Sequence, residues 1–478
     1  MTVEFVGIFS LLIGILSLYC RQSFIVYMFF CATLLGAAAA FVLDNLGGTN
    51  ISPAHLLLGF LTVRLLRTPQ IARNAVQGLA FGNPGFWFLL TVIYSSFAAY
   101  LMPRIFAGQT MIFAVRAQSA YSILPLAPSM SNVTQSIYFA GDLICFAVIY
   151  GYASTQGGYR VLGKAAITCA TLNLVFAALD LITYFTNTAE LFAPIRNANY
   201  SMLNDAELAG FKRIVGSFVE ASSFGGMTLG YFAFFGKMWL LDTYSRFAGV
   251  LALLSLTALL FSTSTTAYVG LSALFVLFYL ETLFQALRKP ITPHMGFFLV
   301  AVPLIASITV IAIALNDSYS AYLQDLIDTM VLNKMSTDSG VERSSWNRQA
   351  MQNFIDTFGF GAGNGSVRAS SILFGIPASL GIVGAFFFSV FFIKVFFGSR
   401  NGGRGELVPV DEVLHQSARY ACVAWFITAA TSGAVIDLGL PFFAFAAFAS
   451  AQPVRQSPDN NDLLLVSSLG LRADPKTY

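Results

Sequence analysis

Residues 336–371, STDSGVERSSWNRQAMQNFIDTFGFGAGNGSVRASS, run straight into residues 372–397, ILFGIPASLGIVGAFFFSVFFIKVFF. The second stretch is apolar throughout save Lys394, and a helix of about 20 such residues crosses a bilayer core. The first is polar, rich in arginine and glycine, and follows another apolar run that ends near residue 315. Working outward, the chain keeps this character from end to end. Of its 478 residues 56% are hydrophobic and 10% charged, and the mean hydropathy is +0.72. That is the composition of a polytopic membrane protein. A polar insert between two spans is costly there unless it is used, so the function is sought in this insert and in a second segment, residues 211–226.

Apolar runs predict spans at 3–20, 24–43, 51–66, 86–102, 136–152, 161–185, 222–241, 247–261, 267–287, 297–315, 372–397, 419–436 and 438–451, about thirteen in all. Alternating strand patterns are absent, so the expected fold is all-α and not a transmembrane barrel. Arg21, Arg64/Arg67/Arg73, Arg160/Lys164, Arg246, Arg288/Lys289, Arg400/Arg404 and Arg455 fall in alternate connections, which the positive-inside bias makes cytoplasmic. The N-terminus and the long loops 103–135, 186–221 and 316–371 then lie outside. The first span reads as an anchor and not as a cleaved signal peptide. One membrane domain, 1–452, precedes a polar tail, 453–478, whose composition predicts disorder.

Several chemistries are excluded early. A net charge of +3 leaves no nucleic-acid footprint. The five cysteines sit in or beside spans without CxxC spacing, and three histidines are too few for an outward zinc cluster or a Ser-His-Asp triad. No metal or cofactor is expected.

Within the insert, Ser339-x-x-Glu342 is a capping box, and Trp346, Ala350, Phe354 and Phe358 share a helical stripe that Gly359 ends. A helix of about five turns is predicted. Arg343 lies one turn before Trp346 and Asn347, on the stripe that faces protein. An inward guanidinium needs an anion, and its fork suits phosphate or carboxylate. Arg348 is about 140° further round, so it would hold another side of a ligand. The alternative is a bridge to Asp338 or Glu342, or a lipid headgroup contact. The turn Gly359-Phe-Gly-Ala-Gly-Asn-Gly-Ser366 has no P-loop lysine and no dinucleotide context, but Gly363 and Gly365 would let backbone N–H groups approach an anion. Arg368 and Ser370 follow at the mouth of the next span. In the second segment a helix would put Arg213 and Glu220 on one face, either as a polar binding groove or as an internal bridge. Inside the spans Asp142, Asp180, Lys237 and Glu281 are expensive charges of the kind proton-coupled transport uses.

In order and spacing these segments resemble the O-antigen ligase/polymerase superfamily, more narrowly its exopolysaccharide (Wzy-like) polymerase branch. The residues that carry the resemblance are Arg213-x-x-Gly216…Glu220-x-Ser222, then Ser262-Thr-Ser264, then Arg343…Trp346-Asn-x-Gln349…Phe354. They end with Gly359-Phe-Gly-Ala-Gly-Asn-Gly-Ser366-x-Arg368-x-Ser370-Ser371. The resemblance covers about half the chain in detail. It implies a GT-C-like, metal-independent glycosyltransferase of the bacterial inner membrane with its active site facing the periplasm. The substrate would be a polyprenyl-diphosphate-linked oligosaccharide, with a chain-length-regulating co-polymerase and export complex as partners. Arg213, Arg343 and Arg348 would stabilise the departing diphosphate. Ligases of the family carry a histidine after the glycine-rich turn, where this chain reads Arg368-Ala-Ser370-Ser371. That departure favours the polymerase branch and leaves Glu220 as candidate base. The rival readings are a ligase delivering glycan to another acceptor and a transporter or flippase of polysaccharide precursors.

Overall fold

The computed structural model describes residues 2–43, 48–115, 122–199, 202–203, 207–208, 211–316, 338–398 and 409–452. The tail expected to be disordered lies outside these residues, as does the start of the 316–371 loop. The described chain is mostly helical. Its α-helices are α1 (Phe5–Ser17), α2 (Gln22–Ala32), α3 (Pro53–Leu66), α4 (Pro69–Gly78), α5 (Pro84–Ile105), α6 (Met130–Ala153), α7 (Gly158–Phe185) and α8 (Ala221–Leu240). They continue with α9 (Ser245–Phe261), α10 (Thr265–Ala286), α11 (Pro293–Ala314), α12 (Asp338–Asp356), α13 (Ile372–Phe397), α14 (Pro409–Ser432) and α15 (Gly439–Ser450).

Each expected span coincides with a helix, but they are not equivalent. Six (α5, α6, α7, α10, α11 and α13) are long and apolar enough to cross a membrane, and α1, α2, α3, α9 and α15 are shorter apolar helices. α11 shows why the chain belongs in a bilayer. It is apolar all round, yet only Met295 and Phe298 are buried, so nearly all of its surface faces outward. In water such a surface would be a large exposed apolar patch; in lipid it is solvated. At the other extreme every residue of α8 from Phe224 to Met238 is buried, and α14 and α9 pack along it. Around α5, α6, α13 and α15 the core is aromatic, with Phe88 stacked on Phe443 at 4.4 Å and on Phe391 at 4.9 Å.

Three expectations are corrected. The span at 24–43 stops as a helix at Ala32; the chain then passes through turns into β2 (Phe41–Leu43), between β1 (Thr2–Val3) and β3 (Thr49–Ile51) in an antiparallel sheet. The run LLGAAAAFV is apolar enough for a helix, but its small side chains also let a strand pack closely among helices. Residues 213–220 are not helical: α8 starts only at Ala221, with Glu220 at its N-cap. On α12 the buried stripe is Trp346, Ala350, Asn353 and Thr357, while Phe358, in a left-handed conformation, is 79% exposed. Asn353 explains the rotation. Its amide donates to Thr110 Oγ1 (2.9 Å) and to the Met111 carbonyl (2.6 Å), docking α12 on the strand Met111–Phe113.

α13 is broken at Gly381, which has φ +62°. The glycine-rich turn fills the break. Ala362 N–H donates to the Ala378 carbonyl (2.7 Å), Gly363 N–H to that of Ser379 (3.1 Å), and Ile382 N–H to that of Gly359 (2.9 Å). Backbone groups released by the kink are thus paired, as an apolar surrounding demands.

Candidate functional site

The site begins with a buried carboxylate. Asp180, near the C-terminal end of α7 and 2% exposed, pairs with Arg196 at 2.6 Å and with Lys212 at 3.8 Å. Its Oδ2 also accepts from the N–H groups of Val215 (2.8 Å) and Gly216 (3.1 Å). Three of these four partners, from Lys212, Val215 and Gly216, pin residues 212–216 to α7, and Arg213 belongs to this fixed segment. Ser217 fixes the other end, its hydroxyl donating to the Leu34 carbonyl at 2.6 Å. At the N-cap of α8, Glu220 accepts from the Ser222 hydroxyl.

α12 and the segment after the glycine-rich turn supply the rest. Arg343 is an electrostatic neighbour of both Arg213 and Arg368, and so is Glu220. The Arg368 guanidinium lies 3.9 Å above the Trp346 ring, and its backbone N–H donates to the Phe113 carbonyl at 2.8 Å. Burial lowers the pKa of Arg213 below its ordinary value; Glu220 and Tyr268 oppose that and Arg343 adds to it. Burial likewise lowers that of Arg368, with Glu342 and Glu220 opposing and Arg343 reinforcing. Three guanidiniums therefore gather around two carboxylates in a partly desolvated place. Among the described residues no hydrogen bond or ion pair reaches Arg343, and Arg213 Nε has no partner. Such a cluster holds unspent capacity for an anion.

The remaining expected site residues lie elsewhere. Arg348 is exposed on another face of α12, along a groove with Ser344, Met351 and Phe374, and does not join the other arginines. Gly363 and Gly365 are packing positions. A Cβ on Gly363 (φ +90°) would sit 2.7 Å from the Ala98 carbonyl oxygen, and one on Gly365 (φ +80°) 2.4 Å from that of Ser131. The N–H of Gly363 is already bonded within the α13 break, so it is not available to an anion. Ser370 is buried and its N–H donates to Asn347 Oδ1 at 2.8 Å, tying the turn to α12.

Beside the arginines a cavity of about 330 Å³ opens between α8, α14 and the gap before α15. Glu220, Ser222, Thr428, Trp425, Ser432 and Asp437 stand among its walls. That volume is at the lower end for small-molecule sites. No family model matches this chain. No curated protein and no solved structure matches it either.

Of the charges within helices, Asp180 is accounted for by its partners. Lys237, 1% exposed, pairs with Glu281 at 2.6 Å, and the Tyr420 hydroxyl donates to the same carboxylate. Lys237 is thus buried against a partner that is itself part-exposed, Glu281 being 32% exposed. Asp142 is buried in α6 with neither oxygen receiving a donor. Sequence reading missed Asp437, which stands alone between two apolar runs; its one signal is a carboxylate in the shortest gap of the chain, just before Gly439 and Pro441.

Proposed function

We propose that this chain is a polysaccharide polymerase. It would transfer a growing glycan from polyprenyl diphosphate to a lipid-linked repeat unit at the outer face of the bacterial inner membrane, as a metal-independent GT-C-like glycosyltransferase with about thirteen spans. The observation that carries the reading is the meeting of Arg213, Arg343 and Arg368 from three separate segments beside a cavity that Glu220 and Asp437 line, with Arg213 Nε buried and, among the described residues, without a hydrogen-bond partner. A diphosphate is the anion that three guanidiniums fit, and a membrane protein meets one on a polyprenyl carrier. In the reaction the acceptor hydroxyl attacks the anomeric carbon as the carbon–oxygen bond to diphosphate breaks. The electron pair leaves on the diphosphate, where the arginines stabilise it. Direct displacement inverts the anomeric carbon. Glu220 and Glu342 hold the arginines apart and oriented before substrate arrives.

The test is product length. Purified protein in liposomes, without metal or ion gradient, receives polyprenyl-diphosphate-linked repeat units; a ladder of longer lipid-linked glycans is expected. Movement of the unit across the bilayer with no ladder would replace the reading by a transporter, and a single transfer to another lipid or protein by a ligase.

A further inference from the structure

The cavity lining holds a second carboxylate that the proposal above leaves unused. Asp437 stands between α14 and α15 on the cavity wall, and its Oδ1 accepts from Gly439 N–H at 2.6 Å. Midway along α6, Asp142 is 1% exposed, without a donor to either oxygen among the described residues, and Asp437 is its electrostatic neighbour. An anionic carboxylate buried with no donor is prohibitive, so Asp142 occupies this place as the neutral acid. As an acid it is a donor, and Asp437 is the acceptor it faces. Two carboxyls sharing one proton work as a unit in which the negative charge falls on one member. Of the two, Asp437 is the one on the cavity wall. The other ionisable neighbours are His55 in the first turn of α3, near Asp437 with its Nδ1 held by Ser52 Oγ at 2.8 Å, and Cys145, near Asp142 on α6.

Resting on the transferase reading, we infer that Asp437 is the general base for the acceptor sugar and that Asp142 positions it. The acceptor O–H bond breaks as its oxygen bonds to the anomeric carbon, and the proton passes to Asp437. The bond to the diphosphate oxygen breaks with its electrons staying on the leaving group, beside the arginines. Glu220 is then the counter-charge of Arg213 and Arg368 and not the base. This divides the site: the leaving group is held by the arginines on the Glu220 side, and the nucleophile is activated at Asp437, in a cavity that Trp425, Thr428 and Ser432 also line.

The experiment compares two nucleophiles on one donor. Full-length protein in liposomes is given polyprenyl-diphosphate-linked repeat units, with sodium azide present or absent. Azide attacks without losing a proton, so it needs no base. Asp437→Asn is expected to lower glycan extension by about 100-fold or more, the ordinary worth of a general base, while azide restores diphosphate release to the wild-type rate. Asp142→Asn, whose amide N–H still donates to Asp437, keeps extension, and Asp142→Leu loses it. Normal extension by Asp437→Asn overturns the inference. So does its failure with both nucleophiles while wild type succeeds, because Asp437 would then be structural. Wild-type protein that releases no diphosphate with either nucleophile overturns the transferase reading and this inference with it.

Discussion

Asp180→Ala is the most exacting test of how the site is held. The substitution removes one carboxylate and strands four partners: Arg196, Lys212 and the N–H groups of Val215 and Gly216. Breaking a buried ion pair from one side costs about 3–5 kcal/mol. Each orphaned backbone donor costs about 1–3 kcal/mol when no water replaces the carboxylate. These terms share one site and do not add in full, so the expected loss is at least about 3 kcal/mol, which multiplies the opened population of residues 211–217 by roughly 100. The opened segment contains Lys212 and Arg213, two trypsin sites that are closed while Asp180 holds them. Limited trypsinolysis of the detergent-solubilised protein, followed by mass spectrometry, should show cleavage after these residues in Asp180→Ala long before wild type. Asp180→Asn should fall between, since its amide oxygen can still accept from Val215 and Gly216 but carries no charge for Arg196. Equal cleavage rates and equal melting temperatures for Asp180→Ala and wild type would refute the reasoning. Polymer synthesis that persists while the segment is cut would show that Arg213 does not need this anchoring.

Arg343→Lys should lower transfer nearly as far as Arg343→Ala, by about 100-fold, because an ammonium does not reproduce a guanidinium fork at a diphosphate; glycan length on gels reads this, and normal length in both variants would remove Arg343 from the site. Gly363→Ala and Gly365→Ala should each destabilise by about 2–5 kcal/mol, through the left-handed backbone and the overlap with α5 or α6 carbonyls, seen as a lower melting temperature; unchanged melting would contradict the packing role. Glu281→Gln should cost more than Lys237→Met, because Lys237 is 1% exposed and would be stranded whereas Glu281 is 32% exposed and reaches solvent. Thermal melting of both single variants checks the order, and the reverse order would mean that the pair is not held as described.

Apolar run length made the helices legible, and the helical period after Glu342 made α12 legible, because both signals are local; α12 starts at Asp338, so Ser339 lies inside it and not at its N-cap. α4 was not legible: it is a short amphipathic helix whose arginine reads as loop charge beside a span. The register of α12 was missed by part of a turn because the stripe was chosen by hydrophobicity. Asn353 and Thr357 are buried for hydrogen bonds: Asn353 reaches Thr110 and Met111, remote in the chain, and Thr357 accepts from Gly361 N–H in the turn that follows. Arg213 and Arg343 were singled out as chemistry, but nothing local could separate Arg348 from them; a shift of five residues along a helix carries it to another face. Asp180 and Asp142 looked alike as lone acids inside apolar runs. What distinguishes them is their partners, Arg196 and Lys212 for one and Asp437 for the other, which only folding brings together.

The glycine-rich turn has a consequence for how such a chain can change. It touches α13 through Gly361, α5 through Gly363 and α6 through Gly365, each at a distance no side chain allows. Alternate positions are thereby closed to substitution, and one inserted or deleted residue would put every tooth of the comb against the wrong helix. Arg368 and Ser370 inherit their register from it. A lineage can exchange the side chains that meet the sugar one at a time, while the spacing from Gly361 to Arg368 is a ruler that it must copy unaltered.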